Sequence, residues 1–293
     1  MTHFESPVVH AFERAVAAAA WAAMARVDGG DGHAVDAVAV DALRAALSGV
    51  PVDGRVVAGE GEKDDAPMLA PGERFGTGGP AVDIVVDPVD GTRLAASGRP
   101  GAMAILAAAP RGAFLDIGPA FYMDKLVCGA DAAGLAIDAP PAENLQRLAA
   151  AIGCPVRALR VAVQERPRNA ALAAAVRAAG AEVVAFEHGD IERAVQAAQP
   201  GGDLDLLLGI GGAPEGVIEA AAVRALGGTM QARFAPQSDE ESARVRAAGV
   251  PVERALDRDE LCAGEAMVFV SPVTRCDFGE PDAAAVRVVA ARA

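Results

Sequence analysis

The chain has 293 residues, 52% hydrophobic and 23% charged, a balance that can bury a sizeable core and excludes a disordered chain. Its formal net charge of −14 argues against nucleic acid or an anionic membrane as partner, because phosphate backbones need a basic face. A phosphate substrate is still admitted, since bound divalent cations invert a local field, and with Lys63 and Lys125 the only lysines, arginine must supply most anion recognition.

Met1 to Pro7 lacks a basic stretch followed by an apolar one, so no secretion signal is read there. The alanine-rich run near Ala17 to Ala25 is too short to span a membrane. Apolar spacing predicts a helix over Val8 to Val27, ended by Asp28-Gly29-Gly30-Asp31-Gly32, and a second over Ala34 to Leu47. Asp36 is placed in the first turn of the second helix, where its charge suits the helix dipole. Arg55 to Ala58 reads as a strand delivering Glu60 to its end. Glu60 and Glu62 share a Gly-flanked bend, and Glu62, Asp64 and Asp65 read either as a solvated loop or as support for a site. Pro71 to Pro80 reads as a flexible connection that could act as a lid.

Val82 to Val86 is a β-branched run, hence a buried strand, and Pro88 is expected to stop its pairing and leave Asp87 at the strand end. Asp90-Gly91-Thr92 then forms a turn into a helix start, whose free N–H groups suit an anion. Asp87 and Asp90 flank the proline bend, and crowded carboxylates repel unless a cation such as Mg²⁺ or Mn²⁺ sits among them. Ala102 to Ala109 and Phe121 to Val127 are predicted strands of one sheet. Tyr122 reads as a half-buried aromatic, and Lys125 as either a functional cation or a surface charge.

A helix over Ala142 to Ile152 leads to Gly153-Cys154-Pro155, taken as a lobe boundary. Beyond it, alternating strands (Leu159 to Val163, Glu182 to Phe186, Leu204 to Ile210) and helices (Asn169 to Ala179, Ile191 to Ala198, Glu215 to Leu226) predict a largely parallel second lobe. Ligands in such an architecture lie at the C-terminal strand ends, which here carry Arg166-Pro167-Arg168, His188-Gly189-Asp190 and Gly209 to Gly216. Two guanidinium groups can grip a phosphate, and the glycines let backbone approach a ligand. A helix over Asp239 to Ala248, a strand over Ala266 to Val270 and a final strand or helix over Ala283 to Ala290 complete the chain. Cys128, Cys154, Cys262 and Cys276 show no Cys-x-x-Cys spacing and read as thiols of a reducing cytoplasm.

Asp87-Pro88-Val89-Asp90-Gly91-Thr92 resembles the metal signature of the inositol-monophosphatase and fructose-1,6-bisphosphatase superfamily. Together with Gly59-Glu60-Gly61-Glu62-Lys63-Asp64-Asp65-Ala66-Pro67-Met68-Leu69 and Gly209-Ile210-Gly211-Gly212-Ala213-Pro214-Glu215-Gly216-Val217, it is similar to the bacterial class II fructose-1,6-bisphosphatases, from about Phe12 to about Gly228. The resemblance implies an α/β to α+β fold, a layered α-β-α-β-α sandwich in two lobes, 1–153 and 154–293, with the site between them. It implies metal ligation by Asp36, Glu60, Asp87, Asp90 and Glu215, with the Val89 carbonyl beside them, and Mg²⁺ or Mn²⁺ as the ion. Glu60, Asp87 and Thr92 are the implied catalytic residues. Asp90, Gly91, Thr92, Tyr122, Arg166, Pro167, Arg168, His188, Gly189, Asp190 and Gly212 are the implied substrate contacts.

The activity so implied is metal-dependent hydrolysis of a sugar bisphosphate, fructose 1,6-bisphosphate to fructose 6-phosphate, by a cytoplasmic homo-oligomer that binds neither nucleic acid nor membrane. The chain departs from the family pattern in having Gly32 where a lysine is usual, His188 where an aspartate is usual, and a shorter tail. These departures leave room for a phosphatase acting on a seven- or eight-carbon sugar bisphosphate; a catalytically silent phosphosugar sensor is a separate alternative, against which the intact acidic set and Thr92 speak.

Overall fold

The computed structural model describes residues 4–59, 69–130, 134–282 and 286–290. The first described elements are helices α1 (Ser6–Met24) and α2 (Gly32–Leu47), strands β1 (Asp53–Ala58), β2 (Arg74–Phe75) and β3 (Ala81–Asp90), helix α3 (Thr92–Ala96) and strand β4 (Met103–Pro110). There follow β5 (Tyr122–Cys128), α4 (Pro141–Ile152), β6 (Arg160–Gln164), α5 (Ala170–Ala178), β7 (Glu182–Phe186), α6 (Asp190–Ala198), β8 (Leu206–Gly212), α7 (Ala213–Leu226) and β9 (Thr229–Phe234). The last are α8 (Asp239–Ala247), β10 (Leu256–Asp257), α9 (Arg258–Leu261), β11 (Met267–Pro272) and β12 (Arg287–Ala290). The mixed α/β class and the layering of sheets with helices agree with the sequence expectation. No helix among the described residues is long and apolar enough to cross a membrane.

Contacts divide the chain into two units, Met1–Asp116 with Cys262–Ala293, and Ile117–Leu261. Gly153, the expected boundary, lies inside the second unit, because β5 pairs with β8 and β9 rather than with β4, and β11 returns to pair with β4. The expectation that Phe121 to Val127 joins the first sheet is thereby corrected.

The first unit builds a sheet in the order β12-β11-β4-β3-β1-β2, with β1 and β3 parallel and the other pairs antiparallel. Helices α1 and α2 pack together on it. Phe12, wholly buried, is the hub, with its ring 5.5 Å from that of Phe269 and 6.4 Å from those of Phe4 and Phe75. Pro7 starts α1, and Asp31 caps α2 by accepting from the Ala34 amide at 3.2 Å. Helix α2 therefore begins at Gly32, which moves Asp36 out of the first turn, where it was expected.

The expected lid, Pro71 to Pro80, is instead anchored by β2 along β1. A Cβ on Gly54 would lie 2.2 Å from the Phe75 ring, and one on Gly76, at φ +91, would lie 2.2 Å from the Val52 carbonyl oxygen. Arg44 Nε donates to Glu73 Oε1 at 2.8 Å in the same segment. The lack of a Cβ at Gly54 and Gly76 is thus what lets this segment lie against the sheet.

The second unit builds a sheet in the order β10-β9-β5-β8-β6-β7. Only β7, β6 and β8 form parallel pairs, while β5 lies antiparallel between β8 and β9. The largely parallel expectation overlooked β9 and the insertion of β5 between two strands joined by α7. Leu126, Val161, Val163, Leu206 and Leu208 pack with Leu145 and Leu148 of α4 and Val176 of α5. Alternation along the strands turns the intervening residues toward α6 and α7, and one of them is Lys125.

Candidate active site

In the first unit the site grows from an interruption in β3. Pairing with β1 runs only to Val85, and the register with β4 jumps from Asp87 opposite Ile105 to Asp90 opposite Met103. Pro88 has no N–H to give to a ladder, so the chain bulges here rather than stopping, and β3 continues through the proline to Asp90. The expectation that pairing stops at Pro88 is corrected accordingly. The Val89 amide, released from the ladder, donates to Asp87 Oδ1 at 3.0 Å and fixes that carboxylate over the bulge.

Gly91 turns the chain at φ +83, where a Cβ would lie 3.1 Å from the Gly101 carbonyl oxygen. Thr92 then opens α3, which has five residues. Its hydroxyl lies 2.8 Å from Asp36 Oδ1 on α2 and 2.9 Å from the Val89 carbonyl oxygen. Gly32 comes close to the same threonine, since a Cβ there would stand 3.2 Å from the Thr92 methyl. Thr92 is thus joined to a residue 56 positions away in the chain.

Asp87 and Asp90 are buried, 8% and 6% exposed. Their carboxylate oxygens, and the Val89 carbonyl that accepts from Thr92, are the kind of donor that suits a hard divalent cation. Among the described residues no three acidic, histidine or cysteine side chains gather into a ready-made cage. Glu60, expected as ligand and catalytic residue, lies outside the described residues, as do Glu62, Lys63, Asp64 and Asp65.

In the second unit the expected substrate residues fall into small groups. The Arg168 guanidinium stands 4.6 Å from the centre of the Tyr122 ring, a cation–π contact, while its Nε donates to the Ile210 carbonyl at 2.9 Å and its Nη2 to Gln164 Oε1 at 2.9 Å. Arg166 Nη2 lies 3.0 Å from His188 Nδ1. The two arginines of the triplet are therefore anchored on different partners rather than forked together. Pro167 opens the short turn between them, and Gly189, at φ +78, precedes α6.

Asp190, the first residue of α6, is buried and accepts from Lys125 Nζ at 2.7 Å. The same ammonium donates to Glu219 Oε1 of α7 at 2.6 Å. Burial works against the charge on Lys125, but Asp190, Glu219 and Glu215 outweigh it and hold the ammonium above its ordinary range. Burial pushes the Glu219 carboxyl well above its usual value against the pull of Lys125.

Strand β8 makes room for these groups. A Cβ on Gly211 would lie 1.9 Å from Asp190 Oδ2, and one on Gly209, at φ +127, 3.0 Å from Asn169 Oδ1. A Cβ on Gly212 would lie 1.8 Å from Glu215 Oε2, so that glycine lets Glu215 fold back over the strand end.

Sequence reading left Lys125 between a functional cation and a surface charge, and it did not single out Glu219 or Asn169. A signal for Glu219 exists: it stands one turn after Glu215 on a helix whose other buried residues are Ala, Gly, Val and Ile.

The family model described as "Bacterial fructose-1,6-bisphosphatase, glpX-encoded" matches residues 7–281. The chain belongs to this family. It is 39% identical over 285 residues to fructose-1,6-bisphosphatase 1 class 2 of Escherichia coli K12, covering 92% of this chain and 84% of the relative. The same identity and coverage hold for the class 2 fructose-1,6-bisphosphatases of Escherichia coli O6:H1 and Shigella flexneri. Membership in the bacterial fructose-1,6-bisphosphatases makes this a chain of a metal-dependent phosphomonoester hydrolase family.

Proposed function

We propose that this chain hydrolyses one phosphomonoester of fructose 1,6-bisphosphate, releasing fructose 6-phosphate and phosphate, with Mg²⁺ or Mn²⁺ and as a cytoplasmic homo-oligomer. The observation that carries the reading is the Thr92 hydroxyl, set between two acceptors, Asp36 Oδ1 and the Val89 carbonyl. With its own proton directed to one of these, the oxygen presents a lone pair and can accept a proton from an attacking water. Its proton then passes to Asp36, so threonine orients the nucleophile and the carboxylate serves as base. Asp36, Glu60, Asp87, Asp90 and Glu215 would hold the ions, which supply charge neutralisation at the phosphoryl oxygens and a more acidic water. Tyr122 and Arg168, stacked together, and Arg166 with His188 would hold the phosphate groups. Asp190 would accept from sugar hydroxyls, and Gly91 and Gly212 would give close backbone approach.

The test is Asp87→Asn with phosphate release measured on fructose 1,6-bisphosphate and on seven- and eight-carbon bisphosphates. The expected result is turnover by the wild-type chain, highest on the six-carbon substrate, and a loss on the order of 100-fold in the variant. Undiminished turnover by the variant would sink the ligand assignment. A preference for a longer sugar would move the substrate while leaving the chemistry.

A further inference from the structure

Lys125 lies in the middle of a strand, wholly buried, with its ammonium 2.7 Å from Asp190 and 2.6 Å from Glu219. A lysine in that setting is unusual because desolvation of an ammonium is costly without ionic partners. Strand β8 is shaped to admit it: a Cβ on Gly211 would lie 2.9 Å from Lys125 Cε and 3.0 Å from Lys125 Nζ. Glycine at 211 leaves the room in which the end of the side chain reaches Asp190 and Glu219.

The geometry points to Lys125 as a positioning residue that fixes the Asp190 carboxylate for substrate hydroxyls, with Glu219 anchoring the ammonium from α7. This rests on the reading of Asp190 given above. Asp190 uses Oδ2 on the ammonium, so the ion pair sets the direction in which the carboxylate presents itself. Glu219 is 94 positions from Lys125 and reaches it only through the fold, giving the cation a second fixed point. Without that second anchor a four-carbon side chain would be free to swing with its partner.

The experiment measures KM and kcat for fructose 1,6-bisphosphate, and the dissociation constant of fructose 6-phosphate by calorimetry, on Lys125→Met, Asp190→Asn, the double variant and Glu219→Gln. Lys125→Met is expected to weaken fructose 6-phosphate and raise KM about 10–100-fold, the scale seen when an orienting partner is lost, with a smaller change in kcat. The double variant is expected to be no weaker than Asp190→Asn alone, because Lys125 acts through that carboxylate. A folded Lys125→Met with unchanged affinity and KM, or losses that add in the double variant, overturns the inference. Should Lys125→Met fail to fold, Glu219→Gln carries the test: a rise in KM and a weaker product constant support the anchoring role, and unchanged values overturn it. Absence of both turnover and product binding in the wild-type chain sinks the functional reading itself, a result distinct from any of these.

Discussion

Thr92 shows how little side chain the proposed chemistry needs from any one residue. Its hydroxyl is held by an aspartate from a helix and a carbonyl from a bulge, so its direction is fixed before substrate arrives. Thr92→Val keeps the shape and removes the proton relay. It should lower kcat by about 10²–10⁴, the range for one general acid–base contact, and Thr92→Ser should recover most of it. Steady-state rates at saturating substrate check both. The motif around Thr92 was legible in the sequence because Asp, Pro, Gly and Thr each have a local reason for their place. The partnership with Asp36 was not, since nothing local connects positions 56 apart. Cys128 gives a second test at this scale: burial pushes its thiol up to about 12, so the native protein should leave it unlabelled by iodoacetamide at neutral pH while denatured protein labels it. Peptide mass spectrometry reads the difference directly.

Among the elements, β8 departs furthest from what its residue types prefer. Glycine in a strand interior weakens it, yet Gly209, Gly211 and Gly212 all stand here. Each open Cβ position is occupied by a neighbour's polar group: Asn169, the Asp190–Lys125 pair and Glu215. Gly211→Ala should therefore cost about 1–3 kcal/mol by forcing that ion pair aside, read from urea midpoints. Gly49→Ala is the control, because the added Cβ would meet the Ala46 carbonyl oxygen at an ordinary 3.8 Å, and its effect should stay within about 0.5 kcal/mol.

The pH dependence of Lys125 follows at the same scale. Its folded-state pKa is raised, so its contribution is fully present below the ordinary lysine value and is lost only as pH rises through the raised one. The destabilisation caused by Lys125→Met should accordingly not fade below the ordinary lysine value, and it should grow as pH rises through the raised Glu219 value, where the variant leaves a buried carboxylate without its cation; urea midpoints across pH read the slope. Most strands and helices were legible because their apolar periods are clean. The course of β3 through Pro88, the anchored segment around β2 and the strand partners of β5 were not, because each depends on residues distant in sequence. In particular, a proline predicts a lost hydrogen bond, and only the fold decides whether the strand ends or bulges around it.

At the scale of the whole molecule, the net charge of −14 shapes how metal binding must be tested. An acidic surface collects divalent ions loosely wherever carboxylates stand close, so stabilisation by Mn²⁺ is not by itself a sign of a built site. A specific site that binds only the folded chain should raise stability by about 2.7 kcal/mol when free Mn²⁺ is a hundred times its dissociation constant. Thermal melts with and without Mn²⁺ should therefore show a clear rise for the wild-type protein and a smaller one for Asp87→Asn, since that variant loses a carboxylate already held in place by the Val89 amide. Chelation should abolish phosphate release, and Mg²⁺ or Mn²⁺ should restore it. Equal shifts in both proteins would assign the stabilisation to the general acidic surface and remove the ions from the proposed catalytic centre. The variant also lowers the negative charge by one, so a matched neutralisation of an exposed carboxylate, Asp203→Asn, should keep the wild-type shift and separate site from surface.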